Sequence, residues 1–513
     1  MTEVRSLLPA LAVIVPAVAG AVIALAGRHT TWLREVVALI GVAATLGLSL
    51  AIGSAALNNQ VLTSFGRQFY ADGLSALVVV LVSLIGLLAT IYSMRYMRHL
   101  VQEGGLPHTT TSGRLTAYYS LLMLFVATMQ WAALSNNIIM LYVAVEASTI
   151  ASGLLVAFYW DRRALEAGYK YLMLLTVGIT FSLFGCVLVY ATGAGILGGS
   201  KALLLSDLKG VAAQFPAATV ALASAFLIVG FGTKAGIAPF HPWLPDAHAE
   251  APTPVSALLS GVMLKVAVYA LVRTVSIFYP QFGNVAMFVL AIGVFTMVLG
   301  DLMALAQDDL KRMLAYSSVS QMGYVLMGFG IGTGLGAYAG LFHMLNHALA
   351  KSLLFLAAGA VMYATGVRGI SSLGGLAKKM PITSCCFFVG ALAISGIPPF
   401  NGFQSKLALF VAGGKAGDWW AVIIGIATSL VTLVVLVKAA RTVFWGKETE
   451  AVSAPAVREA PASMCIAMVI LAALCLGIGL YPRAVYRPLD KAAACVQTIR
   501  GGEAPAEPVA SAR

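Results

Sequence analysis

The stretch 231-FGTKAGIAPFHPWLPDAHAEAPTPVSALLSGVMLK-265 places two lysines, two histidines and several prolines between long apolar runs. The 513-residue chain around it is 60% hydrophobic and only 10% charged. An average soluble domain has about 25% charged residues. We therefore interpret the chain as a membrane protein, in which each charged side chain is costly and needs a physical reason.

Apolar runs recur along the whole chain, and many are close to the ~20 residues that cross a bilayer as a helix. They do not alternate between polar and apolar residues as barrel strands do. The predicted fold class is therefore all-α, a polytopic membrane protein of about fourteen transmembrane helices. The first run is longer than the ~7–15-residue apolar core of a signal peptide, and we expect it to stay in the membrane. The candidate spans are 7–27, 32–53, 72–94, 115–134, 137–159, 167–192, 217–240, 254–277, 283–303, 312–332, 335–362, 384–411, 418–444 and 463–482.

The net charge of +12 does not indicate a nucleic-acid-binding patch, because the basic residues concentrate in alternate loops. When successive loops are assigned to opposite sides, one side holds most of the loop lysines and arginines. The other side holds only Arg67, Lys201, Lys209 and Lys415. Loops rich in lysine and arginine stay in the cytoplasm. Although the residues after the last span are also basic, this asymmetry predicts that both termini lie outside.

The sequence gives no sign of a cofactor bound by this chain. The six cysteines form no CxxC pair and most lie in apolar spans, so we predict no metal site and no iron–sulfur cluster here. The polar insertions are too short to form a domain of their own. We predict a single transmembrane domain over 1–500 and a disordered tail over 501–513.

Two segments of the chain resemble each other, 236-GIAPFHPW-243 and 396-GIPPFNGF-403. Each lies in an apolar run with a lysine close by, and the alternating topology makes the two helices run in opposite directions. Paired broken helices in inverted halves indicate a transport pathway near the middle of the membrane, whereas the alternative is a chance similarity of two kinks. The expected helix breaks are at Gly236, Pro239, Gly396, Pro398 and Pro399.

Ionisable residues inside the predicted spans are the candidate functional residues, since a lysine at a helix centre costs ~2.5–3.5 kcal/mol. Such residues must face a hydrated or mutually paired interior. His343, His347 and Lys351 follow one another at intervals of four residues and form one helical stripe about 12 Å long, along which protons can pass. The other ionisable residues are Glu146, Lys234, Lys265, Arg273, Lys406 and Lys438.

Structural roles compete with proton transfer at these positions. Lys438 and Arg273 lie near span ends, where a long side chain can extend to the interface. A buried lysine and glutamate such as Lys234 and Glu146 can also form a fixed ion pair. In 241-HPWLPDAH-248, the histidines and the aspartate allow a metal site, but we favour a structural cap at the cytoplasmic surface.

Four segments together resemble antiporter-like proton-translocating membrane subunits, the family shared by respiratory complex I, multisubunit Na+/H+ antiporters and membrane-bound nickel–iron hydrogenases. They are the stretch quoted first, from Lys234 onward, with 309-DLKRMLAYSSVSQMGYV-325, 342-FHMLNHALAKSLLFLAAG-359 and 395-SGIPPFNGFQSK-406. The resemblance implies two inverted five-helix repeats, with broken helices seven and twelve. Spans four to eight would form the first repeat over 115–278, and spans nine to thirteen the second over 282–445.

The resemblance also implies roles for individual residues. Glu146 would pair with Lys234, and Lys265 would connect two half-channels. Lys406 would belong to the outward half-channel, where some relatives carry glutamate. The implied proton relay comprises Glu146, Lys234, Lys265, His343, His347 and Lys406, and the possible accessory residues are Lys351, Arg273, Lys438 and His248.

The stretch 146-EASTIASGLLVAFYWDRRALEAGYKYLML-174 is most similar to the hydrogenase-4 and formate hydrogenlyase type. That similarity implies other membrane subunits and a cytoplasmic hydrogenase-like arm as partners, in a prokaryotic cytoplasmic (inner) membrane. The arm would carry the nickel–iron and iron–sulfur centres. The alternatives are a subunit of complex I (NADH–quinone oxidoreductase) or of a multisubunit Na+/H+ antiporter. Two further function classes are a membrane enzyme acting on a lipid or quinone, which would need acid–base groups clustered at one face, and a passive anchor.

Overall fold

The structure, a computed structural model, describes residues 2–27, 31–102, 111–455 and 457–499. The tail predicted at 501–513 lies outside the described residues. In chain order the helices are α1 Leu8–Ala26, α2 Thr31–Leu57, α3 Gly73–Gln102, α4 Thr111–Leu134, α5 Ile138–Val156, α6 Arg162–Leu197, α7 Leu205–Val211, α8 Ala217–Ala235, α9 Trp243–Glu250, α10 Thr253–Leu258, α11 Leu264–Val275, α12 Gly283–Leu305, α13 Leu310–Gly330, α14 Gly334–Thr365, α15 Pro381–Ser395, α16 Asn401–Ala416, α17 Trp419–Trp445, α18 Glu450–Ser453, α19 Ala462–Leu480 and α20 Arg483–Ala493. A π-helical turn, Leu259–Met263, joins α10 to α11 as one continuous helix.

In the described part of the chain, 12 helices are long and apolar enough to cross a membrane. The predicted spans 312–332 and 384–411 are not among them. Helix α13 has 21 residues, but polar side chains such as Lys311 and Ser317 lower its hydropathy. The second region is divided between α15 and α16, of 15 and 16 residues, because the first of these helices ends at Ser395. Length and apolarity therefore support twelve of the about fourteen predicted spans in the described residues, and the other two stay a prediction.

The helix surfaces are arranged as a bilayer requires. Large apolar side chains on the outer helices are exposed, for example Phe184 on α6 and Ile423 and Leu430 on α17. The most apolar window of the continuous helix Thr253–Phe278 is, by contrast, 100% buried inside the protein. Lipid covers exposed apolar bands of this kind in membrane proteins. The chain is thus a multi-pass membrane protein with a central helix shielded by its neighbours.

Small residues bring α12 and α13 into backbone contact. A Cβ added at Gly300 would lie 2.4 Å from the backbone nitrogen of Ser320, and one at Gly323 would lie 2.5 Å from the carbonyl oxygen of Gly293. Any larger residue would therefore separate the two helices. The close packing leaves Asp301, the residue after Gly300, in the protein interior.

Two helices end within the protein and restart after a short break. Helix α8 ends at Ala235 and is capped by Gly236 with φ 72°, and α15 ends at Ser395 and is capped by Gly396 with φ 79°. Only glycine adopts this left-handed conformation at no steric cost. The amide of the residue after each glycine then donates to the carbonyl five residues earlier, at 3.1 Å in both breaks. Each break also contains a cis X–Pro peptide bond, before Pro239 and before Pro399.

A small three-stranded sheet packs beside the first helices. Strand β1, Thr2–Arg5, runs parallel to β2, Gln60–Ser64, and β2 runs antiparallel to β3, Phe69–Ala71. The sequence did not predict it, because strands of four, five and three residues give no periodic pattern beside such long apolar runs. The predicted all-α class is therefore corrected to a mostly helical one.

Candidate functional site

Lys234 lies in the last turn of α8, directly before the first break, and is 1% exposed. Its Nζ donates three hydrogen bonds to α5: to the carbonyl of Val145 at 2.7 Å, to Ser148 Oγ at 2.8 Å and to Thr149 Oγ1 at 2.5 Å. An ammonium group has three N–H donors, so its hydrogen bonding is complete. The direct hydrogen-bond partners of Lys234 are therefore neutral oxygens.

Glu146 lies on α5 among these acceptors but faces α6. Thr176 Oγ1 donates to its Oε1 at 3.1 Å, and its buried Oε2 has no hydrogen-bond partner in the described residues. The pairing implied by the family resemblance stays a prediction, and within the described part of the chain Glu146 and Lys234 form no direct ion pair. The reason is that the α5 hydroxyls already occupy the ammonium. The carboxylate remains on the same helix, within one turn of those hydroxyls.

Lys265 follows the π-helical turn and contacts α14. Its Nζ lies 2.6 Å from Nδ1 of His347, and it also donates to the carbonyl of Ser260 within the π-helical turn. Because an ammonium group only donates, Nδ1 accepts, and the neutral ring carries its proton on Nε2. That Nε2 is buried and has no partner in the described residues. Lys265 and His347 thus form a direct hydrogen-bonded pair in the protein interior.

His343 extends the line from His347 along α14. The two rings stack at 6.4 Å between centroids. Nε2 of His343 lies 3.1 Å from Gln321 Oε1, and its Nδ1 lies 3.1 Å from Ser405 Oγ. Because the amide oxygen only accepts, the ring donates from Nε2 and accepts from Ser405, the residue that precedes Lys406.

Lys351, at the other end of the α14 stripe, is tied to α13. It donates to the carbonyl of Leu314 at 3.0 Å and to Ser317 Oγ. The three residues of the predicted stripe are all buried, so the stripe faces the protein interior as its spacing requires.

Lys406 lies on α16 against the second break. Its Nζ donates to Ser429 Oγ at 2.9 Å and to the carbonyl of Ser395 at 3.4 Å, and it lies 4.7 Å from the ring centre of Tyr324. A Cβ added at Gly396 would lie 2.8 Å from Cδ of Lys406. The glycine at the break therefore also makes room for this lysine.

Several buried charged residues were missed from the sequence, among them Lys311 and Asp301. Lys311 directly precedes the predicted span 312–332, but its side chain is 1% exposed and donates to the carbonyl of Ala251 at 2.6 Å. Asp301 lies on α12 and is 1% exposed, and Thr432 Oγ1 donates to its Oδ2. Its signal was an acidic residue inside the apolar run 283–303.

The segment 241–248 places its histidines and its aspartate in different surroundings. His248 is fully buried, its ring stacks on Phe355 at 4.6 Å, and neither ring nitrogen has a hydrogen-bond partner in the described residues. Asp246 instead faces Arg312 at 3.1 Å and Lys170 at 3.5 Å. The described residues contain no group of three or more candidate metal ligands. His248 is therefore a core residue, whereas the surface cap formed by the segment as a whole stays a prediction.

The remaining accessory candidates differ in their surroundings. Arg273 forms a buried ion pair with Asp72 and also donates to Ser75 Oγ and Tyr269 Oη, both at 3.1 Å. Burial alone would raise the pKa of Asp72, which precedes the span of α3, but Arg273 and the backbone amide of Ser75 hold this pKa below its usual range. Lys438 is exposed on α17, as expected for a side chain that extends to the interface.

The buried lysines and histidines thus occupy several neighbouring helices of one membrane-embedded core, and two of these helices begin or end at a break. Direct contacts link Lys265, His347 and His343 with the residue beside Lys406, whereas Glu146 and Lys234 form a second group. This combination of a broken-helix core and a dispersed set of buried cations defines an antiporter-like membrane subunit.

Comparison with known proteins gives the family. The family model described as "NADH:quinone oxidoreductase/Mrp antiporter, TM" matches residues 135–432, and the model "NADH-Ubiquinone oxidoreductase (complex I), chain 5 N-terminus" matches residues 63–104. The chain belongs to the NADH:quinone oxidoreductase/Mrp antiporter transmembrane family, which confirms the resemblance found in the sequence.

Relatives are found in more than one kind of complex. The chain is 36% identical over 344 residues to a "Hydrogenase-4 component F homolog" of Methylacidiphilum infernorum, covering 66% of this chain and 71% of the relative. It is 34% identical over 430 residues to "NADH-quinone oxidoreductase subunit N" of Desulforudis audaxviator, covering 81% and 82%.

Solved structures share the fold over almost the whole chain. A chain of the archaeal membrane-bound sulfane sulfur reductase superimposes with a TM-score of 0.85 at 26% identity, covering 96% of this chain and 98% of its own. A chain of respiratory complex I from Thermus thermophilus superimposes with a TM-score of 0.74 at 27% identity, covering 92% and 98%. A chain of the Mrp complex from Dietzia sp. shares the fold, with a TM-score of 0.83 at 24% identity and coverage of 96% and 98%.

Proposed function

We propose that the chain is the ion-translocating subunit of a membrane complex and carries protons through Glu146, Lys234, Lys265, His347, His343 and Lys406. The observation that carries the proposal is the 2.6 Å contact between Lys265 Nζ and His347 Nδ1 in the shielded centre of the protein. A buried ammonium beside an imidazole nitrogen is suited to exchange one proton.

The transfer step at this pair is simple. An N–H bond of Lys265 breaks and an N–H bond forms at Nδ1 of His347, which leaves a neutral amine and an imidazolium. The imidazolium then releases its proton from Nε2, so one proton has crossed the ring. Lys234, whose three acceptors are neutral, remains hydrogen-bonded in both of its charge states.

The proposed architecture is fourteen transmembrane crossings with two inverted five-helix repeats, over 115–278 and 282–445. Support comes from the matching caps at Gly236 and Gly396 and from the glycine-rich packing of α13, which suits a membrane helix despite its polar residues. On this arrangement α15 and α16 cross together as one broken span, both termini lie outside, and the membrane is a prokaryotic cytoplasmic membrane.

The complex we favour is a membrane-bound nickel–iron hydrogenase, because a hydrogenase-4 component F homolog is 36% identical to the chain. Other membrane subunits and a cytoplasmic redox arm would then be partners, and the arm would hold the nickel–iron and iron–sulfur centres. The second candidate is a complex I type subunit, favoured by the 34% identity to NADH-quinone oxidoreductase subunit N.

The test is proton uptake by vesicles that contain the purified native complex, with Lys265→Met compared with Lys438→Met on the exposed side of α17. We expect Lys265→Met to assemble but to lose proton uptake, while Lys438→Met retains it. Uptake at the wild-type rate in Lys265→Met would refute the relay. Mass spectrometry of the same complex decides between partners: a nickel–iron large subunit supports the hydrogenase assignment, and a complex I or antiporter set refutes it.

A further inference from the structure

Asp301 on α12 is a buried acid with an unusual position. Among the described residues, the other acids buried to a similar degree are Glu35, which pairs with Arg98, and Asp72, which pairs with Arg273. Asp301 has no arginine partner. Its Oδ2 accepts from Thr432, and its buried Oδ1 has no hydrogen-bond partner in the described residues.

On one side, α17 links Asp301 to Lys406. Asp301 is bound by Thr432, and Lys406 is bound by Ser429, three residues earlier on the same helix. Residues three apart on a helix lie on one face, with Cβ atoms about 5–6 Å apart. The carboxylate and the ammonium are therefore anchored to adjacent hydroxyls.

On the other side, α13 links Asp301 to Lys351. Lys351 donates to Ser317, and Ser320 lies three residues further along α13 against Gly300, the residue before Asp301. The Ser320 hydroxyl is buried and, like Asp301 Oδ1, has no partner in the described residues. Ser320 thus lies beside Asp301, on the face of α13 that also binds Lys351.

We propose that Asp301 is a further proton-carrying residue of the relay, which passes protons between Lys351 and Lys406 beside the histidine route. The proposal rests on the proposed function and adds an acid to it. A carboxylate with one anchored oxygen and one free oxygen is able to bind a proton at Oδ1 without losing the Thr432 hydrogen bond. In its charged form it balances the two flanking ammonium groups, which would otherwise be buried without a counter-charge.

The transfer balances in charge and atoms. A proton leaves the ammonium of Lys351 as its N–H bond breaks, and an O–H bond forms at Oδ1 of Asp301. The same proton then leaves Oδ1 and binds the neutral amine of Lys406. Lys351 is then a neutral amine and Lys406 an ammonium, so Lys351 takes up a proton and Lys406 releases one before the next transfer.

The first test compares Asp301→Asn with Asp308→Asn in the purified native complex reconstituted in vesicles. Asparagine keeps the size of the side chain and an acceptor for Thr432, and Asp308 is an exposed acid in the loop after α12 that accepts a hydrogen bond from Ser371 Oγ. We expect Asp301→Asn to lower the initial rate of proton uptake by about tenfold or more, since a charge is lost in a low-dielectric site. Asp308→Asn retains the wild-type rate, and Asp301→Glu, which keeps the carboxylate, restores a measurable part of the loss. Wild-type uptake in assembled Asp301→Asn overturns the proposal.

A second measurement does not depend on transport. Lys406→Glu places a second carboxylate beside Asp301, so the complex is expected to melt at a lower temperature, and adding Asp301→Asn is expected to restore most of the loss. A double variant no more stable than Lys406→Glu overturns the placement of the charges. If the wild-type complex takes up no protons, the proposed function fails, while the melting comparison still decides whether Asp301 faces Lys406.

Discussion

The ion pair between Arg273 and Asp72 joins the central helix to α3. Removing one of its partners is therefore a direct test of the packing around Lys265. Arg273 lies eight residues after Lys265, about 12 Å along the same helix. The side chains are 14% and 6% exposed, so the pair is largely removed from solvent. Replacing one partner of such a pair leaves an uncompensated buried charge, which costs about 3–5 kcal/mol. We expect Arg273→Met to destabilise the protein by this amount.

The assay is thermal unfolding of the detergent-solubilised complex, with Arg487→Met on the exposed side of α20 as the matched control. The double variant Asp72→Asn/Arg273→Met is expected to recover most of the loss, because both charges are then absent. The pH dependence has a defined sign. The pKa of Asp72 is lowered in the folded protein, so the pair stabilises above the unfolded pKa of about 3.9. This stabilisation is lost as the pH falls through the lower folded value.

Two results would refute this reasoning. One is a melting temperature of Arg273→Met equal to that of Arg487→Met at neutral pH. The other is a difference between wild type and Arg273→Met that persists unchanged at a pH well below the folded pKa of Asp72, where its carboxylate is protonated.

Three further predictions concern the site and its helices. Thr149→Val removes one of the three acceptors of Lys234, a hydrogen bond to a charged group worth about 1.5–3 kcal/mol, and should slow proton uptake. Thr180→Val, at an exposed hydroxyl of α6, should leave the rate of proton uptake unchanged. Equal rates in the two variants would contradict the role of the α5 hydroxyls. Gly300→Val should prevent normal assembly because its side chain would meet the backbone of Ser320. Gly477→Val has open space around its side chain and should assemble. Comparable yields of assembled complex from both variants would contradict the close packing of α12 and α13. Lys438→Ala should change stability by no more than about 0.5 kcal/mol, as measured by thermal unfolding, and a larger loss would show that this exposed side chain has a partner.

The features predicted well from the sequence depend on local chemistry. The apolar runs indicate most of the long helices, and the Gly–Pro segments lie where α8 and α15 end, since a left-handed cap requires glycine whatever the tertiary fold. The interval of four residues placed His343, His347 and Lys351 on one buried face, because residues four apart lie on the same side of a helix.

The partners of these residues could not be predicted, because they depend on helices distant in the chain. The acceptors of Lys234 lie 85 to 89 residues away, and the His347 contact of Lys265 lies 82 residues away. The sequence therefore allowed a Glu146–Lys234 pair as readily as the hydroxyl site that the structure contains. The burial of Lys311 was missed because the residue precedes the apolar run 312–332, and only the fold brings the carbonyls at the end of α9 to its side chain.

The shielded helix Thr253–Phe278 has a consequence for how the chain is made. During synthesis it enters the bilayer after α3, α5 and α8, and Asp72 is already in place to receive Arg273. His347, however, is translated 82 residues later than Lys265. Until α14 is inserted, Lys265 lacks this partner and one side of its helix is uncovered. The order in which the helices are inserted is therefore part of the folding problem of this chain.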